Sequence, residues 1–221
     1  RPDGKNDIFF FFFHGVITIL AGYQNLGRLY RGIIENSLRQ YVHLGDGATM
    51  TDGRKYNSRL KEGELNNYES GIMDDRFVFT EENPSRVFDA VQALAISARV
   101  LKGFNDSLAN QSLKAAEALY LSENTNKDNR VITNKIIAAI ELLITTGNNK
   151  YTEYIVQSTN PELLKNSELV AQIGRVLNTI NDKNLNKITK EAAITYKLEI
   201  DKLQGENPFG VPYRPHIWGD G

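Results

Sequence analysis

Cysteine is absent from the 221 residues, which excludes disulfides and thiolate metal sites. It leaves the compartment open, because many secreted bacterial enzymes also lack cysteine. A dominant charge is missing too: 26 basic and 27 acidic side chains give a formal net charge of -1. A surface that neutralises many phosphates needs a basic excess, so nucleic acid is not an expected partner. Long apolar runs are scarce. The most apolar stretch, Ile8 to Tyr23, contains His14 and falls short of the roughly 20 residues that a membrane-spanning helix needs. It reads as a buried helix with His14 in the core, and the mixed acidic and basic run Arg1 to Asp7 before it is unlike a signal peptide. There is no Gly-rich phosphate loop and no Gly-x-Ser-x-Gly elbow, and His14, His43 and His216 have no ligand spacing. No cofactor and no metal are therefore expected.

What is present is a globular balance, with 41% hydrophobic and 24% charged residues and enough length for a sizeable core. Asp7 opens a helix that runs to about Leu26 and stops at Gly27. It contains five consecutive phenylalanines, Phe9 to Phe13, which cover the whole helix circumference and so require burial all round or a partner. Arg31 to Asp46 reads as a short helix or an extended segment. Gly45 to Pro84 is a long polar connection with Gly-Asp-Gly, Thr-Asp-Gly and Asn-Asn-Tyr turn signals, and a connection of that length usually serves a site.

Helices then follow closely. Ser85 caps one whose apolar positions Val87, Phe88, Val91, Leu94, Ala95, Ala98 and Leu101 recur three and four apart, ending at Gly103. Asp106 starts the next, with Leu108, Leu113, Ala116 and Leu119 on one side; so short a connection makes the two antiparallel. Val131 to Thr146, Tyr151 to Gln157, a segment launched by Asn160-Pro161-Glu162 that breaks near Asn166 and continues to Ile180, and Leu185 to Leu203 complete the set. The expected fold class is all-α. Stacked helical hairpins of this kind form a solenoid or a toroid.

The candidate chemistry lies in two polar stretches. Asp46, Asp52, Asp74 and Asp75 could supply a carboxylate pair or be solvated loop acids. Asp74, Asp75, Arg76 and Phe77 put acids, an Arg and a ring in one turn, able to hydrogen-bond hydroxyls and to stack on a sugar face. The tail Asn207 to Gly221 repeats the offer with Tyr213, Arg214, His216 and Trp218. It holds three of the six prolines and the only Trp, so it is a stiff non-helical loop, built either to bind or to pack as a lid.

Three motifs, Asn207-Pro-Phe-Gly-Val-Pro-Tyr-Arg-Pro-His-Ile-Trp-Gly219, Tyr41-Val-His-Leu-Gly-Asp-Gly-Ala-Thr-Met-Thr-Asp52 and Asp75-Arg-Phe-Val-Phe-Thr-Glu-Glu-Asn-Pro84, resemble the glycoside hydrolase family 9 catalytic domain. Arg86 to Phe104 and Ser107 to Tyr120 resemble its Ala-rich helix and the helix paired with it, whereas Asn124 to Ile200 contributes helical pattern only. The resemblance implies an (α/α)6 toroid, secreted or periplasmic, that hydrolyses β-1,4-linked glucans with inversion. It implies that residues 1–221 are the central part of one catalytic domain, incomplete at both ends, with a β-glucan and the remainder of that domain as partners. The sugar-binding residues would be Asp74, Asp75, Arg76, Phe77, Tyr213, Arg214, His216 and Trp218. No catalytic residue carries over, because the family's Asp-Ala-Gly-Asp base motif and its late acid Glu have no counterpart here. The His-His-Arg element of many members is also absent. Asp89 stands where some members bind calcium, but Arg86 and Phe88 beside it disfavour that site. The alternatives are a non-catalytic helical domain that binds a glycan or a protein, and a polysaccharide lyase with a Tyr or His base.

Overall fold

The computed structural model describes residues 7–29, 33–35, 47–49, 52–73, 76–78, 83–122, 128–206 and 208–212. The chain is mostly helical and forms two compact units, Arg1–Asn124 and Thr125–Gly221.

In the first unit, α1 (Asp7–Leu26) buries Val16 and Leu20, one helical turn apart, and packs on α2 (Pro84–Leu101) and α3 (Asp106–Ser122). Gly27 ends α1 at φ 69°, a conformation that a Cβ would strain. His14 is exposed, contrary to the expected core position: the stripe that Val16 and Leu20 define faces α2 and α3, and His14 is not on it. Phe12 and Phe13 are half-buried rather than enclosed all round; the side chains of Phe9, Phe10 and Phe11 lie outside the described residues.

All seven apolar positions read along α2 are buried, and Leu108, Ala116 and Leu119 of α3 join them. The Phe88 ring near the start of α2 meets the Tyr120 ring near the end of α3 edge to face at 6.1 Å, which fixes the hairpin as antiparallel. The cap of α2 is Asn83, whose side chain accepts from the Arg86 amide at 3.3 Å, with Pro84 in the first turn. Ser85, the expected cap, is instead buried inside the helix. Asn83-Pro84 is the better start, because proline lacks the amide that a first-turn residue would leave unpaired.

The all-α expectation fails between residues 33 and 78. There β1 (Ile33–Glu35), β6 (Arg76–Val78) and β2 (Gly47–Thr49) form an antiparallel sheet in that order. The pairs β3 (Lys55–Tyr56), β5 (Glu69–Ser70) and β4 (Leu65–Asn66) form a second, smaller one. The polar connection is thus not structureless. Its strands of two or three residues show too little alternation to be seen in sequence. The Asn-Asn-Tyr signal is a true hairpin turn between β4 and β5, with Asn67 at φ 54°.

The second unit is built around α4 (Asn129–Thr146), where every residue from Ile136 to Leu143 is buried. Gly147 closes it at φ 66°, its amide donating to the Leu143 carbonyl at 2.8 Å. Against α4 pack α5 (Lys150–Ser158), through Tyr151 and Ile155, and α6 (Ser167–Gly174), through Leu169, Val170 and Ile173. Asn160-Pro161-Glu162 starts only a 3-10 turn, Leu163–Lys165, although Asn160 Oδ1 does accept from the Glu162 and Leu163 amides. Asn166 then interrupts the chain and caps α6. After the single turn α7 (Leu177–Ile180), α8 (Lys183–Gly205) begins at Asp182, whose carboxylate accepts from the Leu185 amide at 2.7 Å. Among the described residues, no helix is long and apolar enough to cross a membrane.

Candidate functional site

Of the eight sugar-binding candidates, Asp74, Asp75, Tyr213, Arg214, His216 and Trp218 lie outside the described residues. Arg76 and Phe77 are on β6, the central strand of the first sheet. Arg76 is registered opposite Glu35 and Thr49, and Phe77 opposite Ile34 and Gly47. This pairing joins two of the motifs, Tyr41 to Asp52 and Asp75 to Pro84, through the backbone of one sheet.

Between them, Lys55 to Ser70 is held by its own polar groups. Asp52 Oδ1 accepts from the Arg54 amide at 2.8 Å, and the Arg54 guanidinium donates to the Asn67 carbonyl. Asn57 Nδ2 donates to Glu69 Oε2 at 2.6 Å, while the Lys61 amide donates to Glu64 Oε2 at 2.9 Å. Asp52 and Glu64 thus hold backbone amides and Glu69 holds a side-chain amide, so Asp52 has structural employment of its own. The module leaves Tyr68 86% exposed at the hairpin turn. A planar ring in that position is a surface on which a flat ligand can stack. Sequence reading passed over Tyr68, although the adjacent Asn-Asn turn signal was visible.

The tail begins as expected. After α8 ends, Pro208 to Pro212 is turn and irregular backbone with Gly210 at φ 64°, and Phe209 is 88% exposed. Phe209 is a second ring that residue-by-residue reading missed. It sits inside the quoted motif but before its polar cluster.

The second unit contains a groove of about 360 Å³ between the 3-10 turn and α8. Pro161, Leu164, Ile188 and Ala192 form an apolar floor, and Glu191, Thr195, Tyr196 and Glu199 rise from α8 along the rim. The Tyr196 hydroxyl donates to the Lys165 carbonyl. Burial raises its pKa above the ordinary 10.0, the negative charge of Glu199 adds to this, and a hydrogen bond with Ser167 works the other way. Lys165 is drawn off to Glu162 at 2.7 Å. A protonated phenol, an apolar floor and rim carboxylates suit binding more than bond-making. Only helical periodicity marked these residues in sequence, because the groove exists by virtue of the turn at Pro161 meeting α8. No protein-family model matches the chain, and no curated protein or solved structure matches it.

Proposed function

We propose that this chain supplies the sugar-binding loops of a secreted or periplasmic glycoside hydrolase that cleaves β-1,4-linked glucans with inversion. The observation that carries the reading is the motif Asn207 to Gly219, together with Tyr41 to Asp52 and Asp75 to Pro84. Two further features support it. The latter two motifs share a sheet through β2 and β6. The helices that resemble the family's Ala-rich pair form an antiparallel hairpin, the repeating unit of an (α/α)6 toroid.

In this reading Trp218, Tyr213 and Phe77 offer ring faces to the C–H faces of glucosyl units. Arg76, Arg214, Asp74, Asp75 and His216 take the hydroxyls through charge-assisted hydrogen bonds. Inverting hydrolysis needs a carboxylate that activates water and a protonated carboxyl group that serves the leaving oxygen, spaced widely enough to admit that water. Neither is assigned to this chain, so its residues bind and orient, and the cleaving pair belongs to the remainder of the domain.

Trp218→Ala in the complete enzyme is expected to raise KM for cello-oligosaccharides roughly fivefold with kcat little changed, the loss of about 1 kcal/mol of stacking. Retardation of the 221-residue chain in a gel containing soluble β-glucan gives a second readout. Unchanged KM together with no retardation defeats the sugar reading. Retardation without hydrolysis by the complete protein assigns the chain to a non-catalytic glycan-binding domain.

A further inference from the structure

The lining of the groove in the second unit restricts what it can hold. Ile188, Glu191, Ala192, Thr195, Tyr196 and Glu199 recur along α8 at helical spacing, so the groove follows that helix for about three turns. Ile188 and Ala192 are only half-buried, and the floor they share with Leu164 is apolar surface still open to a ligand. The donors of the lining are already engaged. The Tyr196 hydroxyl donates to the Lys165 carbonyl, the Thr195 hydroxyl donates to the Glu191 carbonyl at 3.0 Å, and the Lys165 ammonium group pairs with Glu162 at 2.7 Å. The Glu191 and Glu199 carboxylates, in contrast, have no ion-pair partner among the described residues. Lys187 and Lys202, each one turn away from them on α8, are not part of the lining and form no ion pair with them.

We propose that this groove binds a linear aliphatic chain with an ammonium group at each end, the chemical class of the polyamines, laid along α8. Its methylenes rest on the apolar floor and its two ends meet Glu191 and Glu199. Three features select that class. The volume of about 360 Å³ is that of a small-ligand pocket. With its acceptors unspent and its donors engaged, the lining attracts a ligand that brings positive donors and repels phosphates and carboxylates. Glu191 and Glu199 are separated by a rise of about 12 Å along the helix, so one ammonium group cannot serve both, whereas the two ends of an eight-carbon diamine are about that far apart. Each ion pair is exposed and weak by itself. Because the two ammonium groups are joined, the second contact follows the first at high effective concentration. The expected Kd is on the order of 1 mM at low salt. This inference does not rest on the sugar-binding reading, whose residues are not part of the groove.

Titration of the 221-residue chain with 1,8-diaminooctane, followed by methyl NMR, is expected to shift Leu164 and Ile188 saturably. 1-Aminooctane, with one charge, and 1,4-diaminobutane, with too short a reach, should each bind at least about threefold more weakly. Physiological salt should weaken the diamine by about threefold or more, because both contacts are exposed. Glu191→Gln combined with Glu199→Gln, both at exposed positions, should keep the helical circular dichroism and weaken binding about fivefold or more. Octane-1,8-diol, of the same length but uncharged, should leave both methyl resonances in place. Absence of a saturable shift at Leu164 and Ile188 well above the expected Kd overturns the proposal. So does diamine binding that the double variant retains in full, or a diol that binds as well as the diamine, which would mean that the apolar floor acts alone.

Discussion

At the scale of residues, Glu141 is the buried charge among the described residues of the second unit. Glu141 is 2% exposed in the middle of α4, and the Arg175 guanidinium donates to its Oε1 and to Gln172 Oε1. Removing Arg175 leaves a desolvated carboxylate with fewer partners, whereas Glu141→Gln leaves an amide oxygen that Arg175 can still serve. Arg175→Ala is therefore expected to lower stability by about 2 kcal/mol and Glu141→Gln by less, read from chemical denaturation midpoints. Equal effects would mean that Glu141 is held by other groups. Tyr196 gives a pH-dependent counterpart. Its pKa is raised in the folded chain, so its contribution to stability is complete below 10.0 and is lost as pH rises through the folded value. Absorbance titration at alkaline pH should therefore lose a phenol titrating above 10.0 when Tyr196 is replaced by Phe. A titration curve that loses only an ordinary phenol contradicts the placement of Tyr196 against Glu199.

At the scale of elements, helix ends and loop closures are the sensitive points. Asp182 satisfies the Leu185 amide at the start of α8, and Asp182→Ala should cost about 1 kcal/mol in thermal or denaturant unfolding. In the strand-bearing loop, a Cβ on Gly71 would stand 1.9 Å from the Lys61 carbonyl oxygen, a backbone atom that cannot step aside cheaply. Gly71→Ala should displace the β3–β5–β4 module and cost about 1–3 kcal/mol, with amide exchange accelerating at Lys55, Asn57 and Gly71, whose N–H groups close that module. Unaltered exchange there would show that the loop relaxes without loss. The same elements show why reading by pattern succeeded in one place and failed in another. The helix α2 repeats its apolar spacing over 18 residues, so its buried face was fully legible from Val87 to Leu101. β3, β4 and β5 have two residues each, and their order depends on backbone hydrogen bonds to distant partners that no local window contains. Asn160-Pro161 carried a strong start signal, yet the chain made one tight turn there, because Asn166 offered a second cap and Leu163 and Leu164 were already buried.

At the scale of the whole molecule, each unit has its own buried cluster. That of the second unit comes from α4, α5, α6 and the start of α8, with Ile136, Ile140, Leu142, Ile155, Leu169 and Ile173 fully enclosed. Residues 125–221 expressed alone are thus expected to remain helical and to melt cooperatively by circular dichroism. A broad, featureless melt would show that this cluster does not suffice.

The sequence by itself determined most of the helices, the inward face of α2, the stops at Gly27 and Gly147, and the non-helical start of the tail, since spacing, caps and glycine act within a turn or two of chain. Only the tertiary structure decided that the polar connection folds into two small sheets, that β2 and β6 bring two distant motifs together, that His14 faces outward, and that Pro161 and Tyr196 enclose a groove. Each of those depends on contacts between residues far apart in the chain, and such contacts are fixed by packing, which leaves no periodic trace in the order of the amino acids.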